Sequence, residues 1–463
     1  MAGPLAVHDT AIEGLLIIDL PVHGDARGWF KENWQRAKMV AAGLPDFGPV
    51  QNNVSFNATP GTTRGLHAEP WDKLVSLGRG RIFGAWVDLR PGPGFGTTVT
   101  HEMGVDSAVF VPRGVANGFQ ALEPDTVYSY LVNRHWSQQA VASYTFLNLE
   151  DETAGIPWPL PLAEVSEADK NHPRLADVVP MTPPSTVIVG ANGQLGRALC
   201  ALLPDAVQLE RPDFDLTQPE TVDAVDWSQV GLIINAAAYT AVDLAETDEG
   251  RRDCWDANVT GLSRLVEKAR EFRIPLMHVS TDYVFDGTAE VHHEDEPLSP
   301  LGVYGQTKAA GEALVASLPS HWIVRTSWVI GDGNNFVRTM ASLADRGISP
   351  SVVADQYGRL TFTEDLAAGM VHLTRSAPPG TYHLTNEGPT RSWADIAKRV
   401  FELCGRSPED VSEVSTQEYS AGKLVSPRPA NSTLSLERLK ATGFVPEDAD
   451  LRLATYVTER RQP

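Results

Sequence analysis

The spacing of apolar and polar positions divides the chain into two halves. Up to about residue 160, short apolar runs such as KLVSLGRGRIFGAWVDL, AVFVPRGVANGFQAL and TVYSYLV recur between glycine and proline turns, with few helical repeats. Short strands at this spacing predict an all-β sandwich or barrel. From residue 186 the pattern becomes apolar strand, glycine turn, helix and next strand, which predicts a parallel sheet wrapped by helices.

A segment rich in proline and threonine, VVPMTPPST at 178–186, separates the two patterns. Such a composition suits a semi-stiff connection better than a strand or a helix. We therefore predict a first domain over 1–181, a linker over 182–185 and an α/β domain over 186–463. The length of 463 residues agrees, because it exceeds what one compact core usually holds.

Composition and charge narrow the class of protein. Hydrophobic residues make up 42% and charged residues 21% of the chain, as in globular proteins that stay in water. No apolar run approaches the roughly 20 residues that cross a bilayer, and the N-terminus lacks a signal-peptide pattern. Three widely separated cysteines suit a reducing compartment, so we expect a cytoplasmic protein. The net charge of −21 argues against nucleic-acid and membrane partners, although a few placed cations could still bind a phosphorylated small molecule.

A glycine turn opens the second half. The segment VIVGANGQLGRAL places Gly190, Gly193 and Gly196 directly after an apolar strand and at the start of a helix. Glycines there let the backbone approach a pyrophosphate, whose charge then lies at the helix N-terminus. A tight strand–helix turn without a ligand would favour the same residues, so the prediction of a dinucleotide site depends also on the strands after this helix.

The next strand ends near VQLERPDFDLTQPE, about twenty residues on, where the adenine ribose of a dinucleotide would lie. Glu210 could accept a hydrogen bond from a 2′-hydroxyl, whereas Arg211 could bind a 2′-phosphate. The two residues point to different cofactors. We take NADPH as the cofactor and keep NADH as the alternative.

A possible catalytic set lies in the segments HVSTDYVFD and YGQTK. Tyr304 and Lys308 are four residues apart and share one helix face, and Thr281 ends a strand. A Lys ammonium beside a phenol lowers the phenol pKa, which makes Tyr304 a usable acid, and Thr281 can bond the same carbonyl oxygen. Together with the glycine turn and the small-residue loop NAAAYT, this order favours a carbonyl reductase over a solvated helix face.

At these residues the second half resembles dTDP-4-dehydrorhamnose reductase, within the extended short-chain dehydrogenase/reductase superfamily. The resemblance extends through GANGQLG, NAAAYTAVDLAE, STDYVFDG, PLGVYGQTKAAGE, VRTSWV, GNNFVRTM and RPANSTL. It implies a Rossmann doubly wound parallel sheet with a small substrate-binding lobe. It also implies that Tyr304 protonates the sugar C4 oxygen, that Lys308 tunes Tyr304 and holds the nicotinamide ribose, and that Thr281 orients the carbonyl.

The same resemblance implies the residues that bind ligands. For the substrate they are Trp328, Asn335 and Arg428. One departure is DQYGRLT, where the family usually has a proline before the threonine. The implied cofactor residues are Gly190, Asn192, Gly193, Gln194, Leu195, Gly196, Arg211, Asp215, Leu216, Ala236, Ala237, Ala238, Tyr304 and Lys308.

In the first half, TRGLHAEPWDKLV places Arg64, His67 and Lys73 on one turn and the following strand. A single histidine in a strand-rich domain is more often structural than functional. His67 has no second histidine one or two residues away, and Glu69 alone does not complete a ligand set, so we predict that no metal is required.

This half resembles dTDP-4-dehydrorhamnose 3,5-epimerase through HGDARGWFKENW, VQNNVSFN, TRGLH, DKLV, VFVPRGVANGFQAL and SEADKNHPRL. The resemblance implies a jelly-roll (cupin-like) fold. It implies His67 as the base, Asp169 as its orienting carboxylate, Lys73 as the enolate stabiliser and Tyr130 as the opposite proton donor. The implied substrate contacts are Arg27 and Arg64 for phosphates, with Gln51, Asn53 and Asn117.

Two features of this half leave details open. Tyr128 and Tyr130 alternate onto one face of TVYSYLV, so strand pattern alone does not choose between them. Asn117 stands in GVANGF where the family usually has a histidine, and the segment AEPWD is short and unusual. Both changes fall in the predicted pocket, so epimerisation at one carbon only, or a different hexulose, stays possible.

Joined, the halves predict a bifunctional enzyme that epimerises a dTDP-4-keto-6-deoxyhexose and reduces C4 to give dTDP-L-rhamnose. Fusion would keep the keto intermediate at high local concentration. The alternatives are another dTDP-6-deoxy-L-hexose, a non-catalytic nucleotide-binding subunit, and a reductase whose barrel serves only as a scaffold. By resemblance we also expect a homodimer formed through the epimerase domain.

Overall fold

The structure, a computed structural model, describes residues 3–459. The chain divides into two units, Met1–Pro183 and Pro184–Pro463, and each has its own hydrophobic cores. The division falls within the segment 182–185 that the sequence marks as a linker.

The first unit is built almost entirely from strands. Its two short helices are α1 (Arg36–Ala41) and α2 (Glu167–Lys170). Its strands are β1 (Ala6–Asp9), β2 (Leu16–Asp19), β3 (Val22–Asp25), β4 (Gly28–Lys31), β5 (Gln51–Asn57), β6 (Thr63–Ala68), β7 (Lys73–Arg79), β8 (Ile82–Asp88), β9 (Thr98–Met103), β10 (Ser107–Val111), β11 (Val115–Ala121), β12 (Thr126–Val132) and β13 (Thr145–Phe146).

Two antiparallel sheets enclose the core of this unit. One sheet has the order β1-β2-β10-β7-β12-β5 and the other the order β13-β6-β11-β8-β9. Alternation along the strands turns one side inward, so Val75 and Leu77 of the first sheet pack with Trp86 and Phe119 of the second. The predicted all-β jelly-roll domain is confirmed. Its site residues lie on strands of both sheets.

The second unit alternates strands and helices. Its strands are β14 (Ser185–Val189), β15 (Val207–Leu209), β16 (Val230–Asn235), β17 (Leu276–Thr281), β18 (His321–Thr326), β19 (Val329–Ile330), β20 (Ser351–Val353), β21 (Tyr357–Gly358), β22 (Thr361–Phe362), β23 (Gly380–His383), β24 (Arg391–Ser392) and β25 (Ser412–Val414). Its helices are α3 (Gln194–Leu202), α4 (Pro219–Asp223), α5 (Asp248–Trp255), α6 (Leu262–Glu271), α7 (Val303–Ala316), α8 (Phe336–Asp345), α9 (Thr363–Ser376), α10 (Trp393–Leu403), α11 (Thr416–Ser420), α12 (Glu437–Ala441) and α13 (Ala449–Glu459).

Six strands form a parallel sheet in the order β15-β14-β16-β17-β18-β23. Apolar residues cover both faces: α6 packs on one with Leu265, and α3 and α9 pack on the other with Leu199 and Met370. The strand order reverses between β14 and β16, and ligands of such sheets bind in the crevice beyond that reversal. The predicted doubly wound Rossmann fold is confirmed.

A separate apolar cluster builds the smaller lobe. There α8, α10 and α13 pack together through Val337, Val400 and Leu453. A capping box of Ser392 and Asp395 satisfies the start of α10. Within residues 3–459 none of the helices is both long enough and apolar enough to span a bilayer.

Candidate active sites

A histidine–carboxylate pair lies in the β-unit. His67 is on β6, and its Nε2 lies 2.8 Å from Oδ1 of Asp169 on α2. Burial alone would raise the pKa of Asp169, but the hydrogen bond and charge of His67 outweigh it, and the pKa falls below its usual value. Asp169 stays ionised and holds the ring through Nε2, which leaves Nδ1 as the nitrogen that can act as a base.

The opposite sheet supplies an ammonium and a phenol. Lys73 on β7 pairs with Glu69 at 2.7 Å, and both side chains are buried. The Lys73 ammonium also lies 5.4 Å from the centre of the Tyr130 ring on β12. Burial and then Glu69 raise the pKa of Tyr130, which keeps the phenol protonated. Sequence reasoning weighs Glu69 only as a metal ligand and misses its pairing with Lys73.

Asn117 lies directly opposite His67 in the β11–β6 register. Its Oδ1 accepts from Trp86 Nε1 at 2.9 Å, and its Nδ2 lies 3.0 Å from the Tyr128 hydroxyl. Tyr128 is buried and stacks on Phe119, whereas Tyr130 is half-buried. Tyr128 therefore acts as a partner of Asn117, and Tyr130 is the more accessible of the two tyrosines.

The predicted phosphate and polar contacts are not all brought together. Gln51 and Asn53 bond each other on β5, and Arg64 on β6 bonds Asn57. Arg27 instead lies at the turn of the β3–β4 hairpin, where its side chain is 90% exposed and pairs with Asp25. Within a single chain Arg27 does not join the cluster around His67.

A second histidine joins the pair from the segment that carries Asp169, three residues further along the chain. His172 lies 3.9 Å from Asp169, and its ring packs against Phe146 and the edge of His67. Ligand atoms of the three polar side chains lie within 4.8 Å of one another, a spacing that could hold a metal ion. No histidine lies within two residues of His67 in the sequence, but chain folding brings His172 beside it.

A cleft of about 1010 Å³ opens at the strand-order reversal of the α/β unit. Gly190 has φ +82°, and a Cβ there would lie 2.8 Å from the backbone of Ala237, so this turn requires glycine. Gly196 does not line the cleft: a Cβ there would meet the Gly190 carbonyl, so it packs α3 on the turn. The lining includes the predicted residues Asn192, Gly193, Gln194, Leu195, Arg211, Asp215, Leu216, Ala236, Ala237 and Ala238.

The far end of this cleft carries the two residues that point to different cofactors. Glu210 and Arg211 both line it. Oε2 of Glu210 is buried and has no hydrogen-bond partner in the described part of the chain. Because buried acceptors are usually hydrogen-bonded, this oxygen fits a site where a ligand hydroxyl donates to it. Arg211 is exposed beside it. The glycine turn, the buried acceptor and the cation fit a dinucleotide with either ribose substituent.

Thr281, Tyr304 and Lys308 all line the same cleft. Thr281 Oγ1 donates to Asp282 at 2.9 Å. Burial raises the pKa of Tyr304, and Asp282 and Tyr283 raise it further, while a hydrogen bond with Thr281 opposes them. The expectation that Lys308 lowers this pKa is not met in the protein as it stands, because buried surroundings and a carboxyl group dominate.

The side chain of Lys308 contacts strand β17. Its Nζ donates to the Val279 carbonyl at 2.6 Å and lies 3.1 Å from Nε2 of His278. Burial lowers the pKa of Lys308 to about 8. His278 is visible in the sequence as the start of HVSTDYVFD, but nothing there indicates that a strand residue would contact the lysine.

A π-helical segment, Asp256–Gly261, interrupts the helix between α5 and α6. Its Asn258 accepts from the backbone of Tyr239 at 2.8 Å and donates to Thr307 at 3.0 Å. This side chain therefore joins the loop after β16 to α7, which carries Tyr304. Segments of this type often occur at functional sites, and no pattern of residues indicated this one.

The three predicted substrate residues have different surroundings. Trp328, at φ +46°, lines the cleft and stacks on Trp393 at 3.7 Å. Arg428 pairs with Asp243 at 2.8 Å and does not line the cleft. Asn335 caps α8 and bonds Gly331 and the Tyr456 hydroxyl, so its amide serves the lobe's structure.

The folds and their sites define a class: an epimerase-like barrel joined to a dinucleotide-dependent reductase. Residues 185–461 match the family model described as RmlD substrate binding domain, and residues 9–177 match the model of dTDP-4-dehydrorhamnose 3,5-epimerase. The chain belongs to the RmlD family through its second half, and its first half is an epimerase-family domain.

Individual relatives agree half by half. The Protein RmlC homolog of Streptococcus pyogenes serotype M6 is 51% identical over 187 residues, covering 39% of this chain and 94% of that protein. The dTDP-4-dehydrorhamnose reductase of Aggregatibacter actinomycetemcomitans is 38% identical over 280 residues, covering 57% of this chain and 94% of the relative. A solved reductase of that name from Bacillus anthracis, in complex with NADP, is 34% identical with a TM-score of 0.56 and covers 60% of this chain and 99% of its own.

Proposed function

We propose that the protein converts dTDP-4-keto-6-deoxyglucose into dTDP-L-rhamnose, by epimerisation at C3 and C5 in the β-unit and reduction of C4 in the α/β unit. The observation that carries this proposal is the presence in one chain of both reactive sets: the His67–Asp169 pair opposite Tyr130, and Thr281, Tyr304 and Lys308 in one cleft. The first half is similar to a protein named RmlC homolog, and the second half is similar to a protein named dTDP-4-dehydrorhamnose reductase.

In this proposal His67 on β6 is the base, and Tyr130 on β12 of the facing sheet is the acid. Protons at C3 and C5 are acidified by the C4 ketone between them, so His67 can remove one and form an enolate. The Lys73 ammonium stabilises the enolate oxygen, and the Tyr130 phenol returns a proton from the other side, which inverts the carbon. Asp169 stabilises the imidazolium that forms on His67. We propose that this exchange requires no metal and persists after treatment with EDTA.

The α/β unit then reduces C4. The cofactor we propose is NADPH, with NADH as the alternative, and when bound it supplies the hydride. Tyr304 gives a proton to the C4 oxygen, Thr281 holds that oxygen in place, and the indole of Trp328 borders the sugar. Glu210 and Arg211 at the far end hold the adenine ribose. A comparison of kcat/KM with the two cofactors decides between them.

The test is NMR of the protein with dTDP-4-keto-6-deoxyglucose in deuterated water, first without and then with NADPH. We expect deuterium at C3 and C5 in the first stage and an L-rhamno product in the second. A Tyr304→Phe variant separates the steps, since it should keep the exchange and lose the product. If neither exchange nor reduction is observed, the enzyme proposal is contradicted and a nucleotide-binding role is favoured.

A second product is favoured by one observation. Asn117 faces His67 where a titratable histidine is usual in the family, and its amide is engaged by Trp86 and Tyr128. An amide at this position cannot act as a second base. If the usual histidine takes part in proton transfer at one of the two carbons, exchange in this protein occurs at the other carbon only. Deuterium at C5 alone, or at C3 alone, would identify a different 6-deoxyhexose as the product.

We also propose a homodimer formed through the β-unit, in the cytoplasm. Val54 and Phe56 are exposed by 63% and 59% on β5, which is an edge strand, and Phe30 on the hairpin is exposed by 66%. Exposed apolar residues along an edge favour pairing with a second copy, which would also receive Arg27. Phe56→Glu should give a monomer in light scattering, whereas Leu451→Glu, similarly exposed on α13, should not.

A further inference from the structure

His278 lies beneath the lysine of the reductase cleft. It is a buried residue of β17, and its Nε2 is 3.1 Å from Lys308 Nζ. On its other side, Nδ1 is 3.0 Å from Nδ2 of Asn235, at the end of β16. Burial lowers the pKa of His278 well below its usual value, so the ring is neutral and carries one proton.

The orientation of Asn235 decides which ring nitrogen carries that proton. The backbone N–H of Ala237 donates to Asn235 Oδ1 at 3.1 Å, which identifies the oxygen of this amide because an N–H requires an acceptor. The amide nitrogen therefore points at His278 and donates to Nδ1. Turning the amide over would leave two donors facing each other in a buried site, so the orientation is fixed.

The neutral ring then carries its proton on Nε2, directed at Lys308 Nζ. An ammonium has only donors, so it would oppose this N–H, whereas a neutral amine can accept from it and still donate to the Val279 carbonyl at 2.6 Å. The lowered pKa of Lys308, about 8, agrees with a site that disfavours the charged form.

We propose that these surroundings favour the neutral amine of Lys308 in the cofactor-free protein and that the side chain takes up a proton from solvent when the dinucleotide binds, with His278 and Asn235 as its positioning residues. This rests on the proposed reductase function. Ribose hydroxyls in the cleft add acceptors that an ammonium can bond. The added charge lies on the same helix and in the same cleft as Tyr304, so it opposes the effect of Asp282 and makes the phenol a better acid when the cofactor is bound.

Other ionisable groups around α7 do not supply this proton response. Glu312 is held by Arg325 in a buried bidentate pair, so its charge is already matched. Burial raises the pKa of Cys254, which stays a thiol, and the pKa of Asp282 is raised to about 6. Glu246 accepts from the backbone of Val303 at the start of the helix. Among these described groups, Lys308 is the one that changes charge above pH 7.

The experiment is calorimetric titration of the full chain with NADPH in buffers of different ionisation enthalpy, at pH 8 and pH 9. From a pKa of about 8 for free Lys308, we expect uptake of about 0.5 proton per site at pH 8 and about 0.9 at pH 9. The 2′-phosphate, with a second pKa near 6, is already ionised in this range and contributes nothing.

Asn235→Asp is the informative variant, because a carboxylate accepts from both Ala237 and His278 Nδ1–H and turns Nε2 into an acceptor for an ammonium. Proton uptake should fall close to zero while NADPH still binds. His278→Gln removes the opposing N–H and should act in the same direction, and His372→Gln on α9 serves as the matched control with wild-type uptake.

The outcomes separate this inference from the function on which it rests. Binding heats that do not depend on the buffer would overturn the inference and leave cofactor binding intact. Uptake that persists unchanged in Asn235→Asp would overturn the roles of His278 and Asn235. A protein that does not bind NADPH would overturn both the inference and the proposed reductase.

Discussion

Replacing Asp169 by asparagine tests the proposed base most directly. The substitution keeps the shape of the side chain but removes its charge. In the unsubstituted protein the Gly65 backbone nitrogen lies 3.4 Å from Oδ2 of Asp169. If the amide oxygen of the variant stays on His67 Nε2, at the 2.8 Å that Oδ1 has, the amide nitrogen takes the place of Oδ2 and faces the N–H of Gly65. If the amide turns over, its N–H faces Nε2 and moves the ring proton to Nδ1, the nitrogen that must accept a proton.

The expected loss can be worked out from these contacts. A hydrogen bond to a charged group contributes about 1.5–3 kcal/mol, and about 1.36 kcal/mol changes a rate tenfold. Loss of imidazolium stabilisation alone therefore slows proton abstraction by about 10- to 150-fold. The wrong tautomer adds to this, since a positioned base contributes about 10²–10⁴-fold in total. We expect exchange to fall by about 10²–10⁴-fold.

The assay is deuterium incorporation into dTDP-4-keto-6-deoxyglucose without NADPH, followed by NMR. Asp88→Asn is the matched control: that carboxylate has 8% side-chain exposure against 9% for Asp169, but it pairs with Arg90 instead of a site residue. It should lower thermal stability and leave exchange within about threefold of wild type. A similarly small effect of Asp169→Asn would refute the assignment of His67 and Asp169 as a working pair.

Three further predictions concern the α/β unit. Tyr304→Phe should slow C4 reduction by about 10²–10⁴-fold in a coupled NADPH assay, because it removes the proton donor. Glu312→Gln leaves the buried guanidinium of Arg325 without its carboxylate and should cost about 3–5 kcal/mol in denaturant unfolding, whereas exposed Glu413→Gln should cost less than about 1 kcal/mol. Burial raises the pKa of Asp282 from 3.8 to about 6, so its carboxylate destabilises the folded state above pH 6. Asp282→Asn should therefore stabilise the protein by about 2–3 kcal/mol at pH 8. In thermal unfolding, this gain should vanish as the pH falls from 6 to 4.

Fold class was predictable because it depends on local patterns. Strand-length apolar runs between turns became β7, β8, β10, β11 and β12, and the run TVIVGANGQLG became β14, its turn and α3. Residue spacing also placed Tyr304 and Lys308 on one helix, α7, since that relation needs only the helical repeat.

The sites were predictable only in part. Lys73 was assigned as an enolate stabiliser by resemblance, but its buried partner Glu69 depends on how the chain turns between β6 and β7. His172 lies three residues after Asp169, and only chain folding brings both of them to His67, more than a hundred residues earlier in the chain. Asn335 was placed at the substrate by resemblance, and the structure uses its amide to cap α8.

The sequence by itself determined the two-domain order, the glycine turn that only Gly190 allows, and the identity of the reactive side chains. Those features depend on local backbone sterics and on chemistry that a residue carries wherever it lies. Tertiary structure alone decided which groups meet in buried surroundings: Lys308 on His278, Tyr304 near Asp282, and Lys73 on Glu69. Charge and proton position depend on desolvation and on neighbours distant in the chain, and both exist only once the chain has folded.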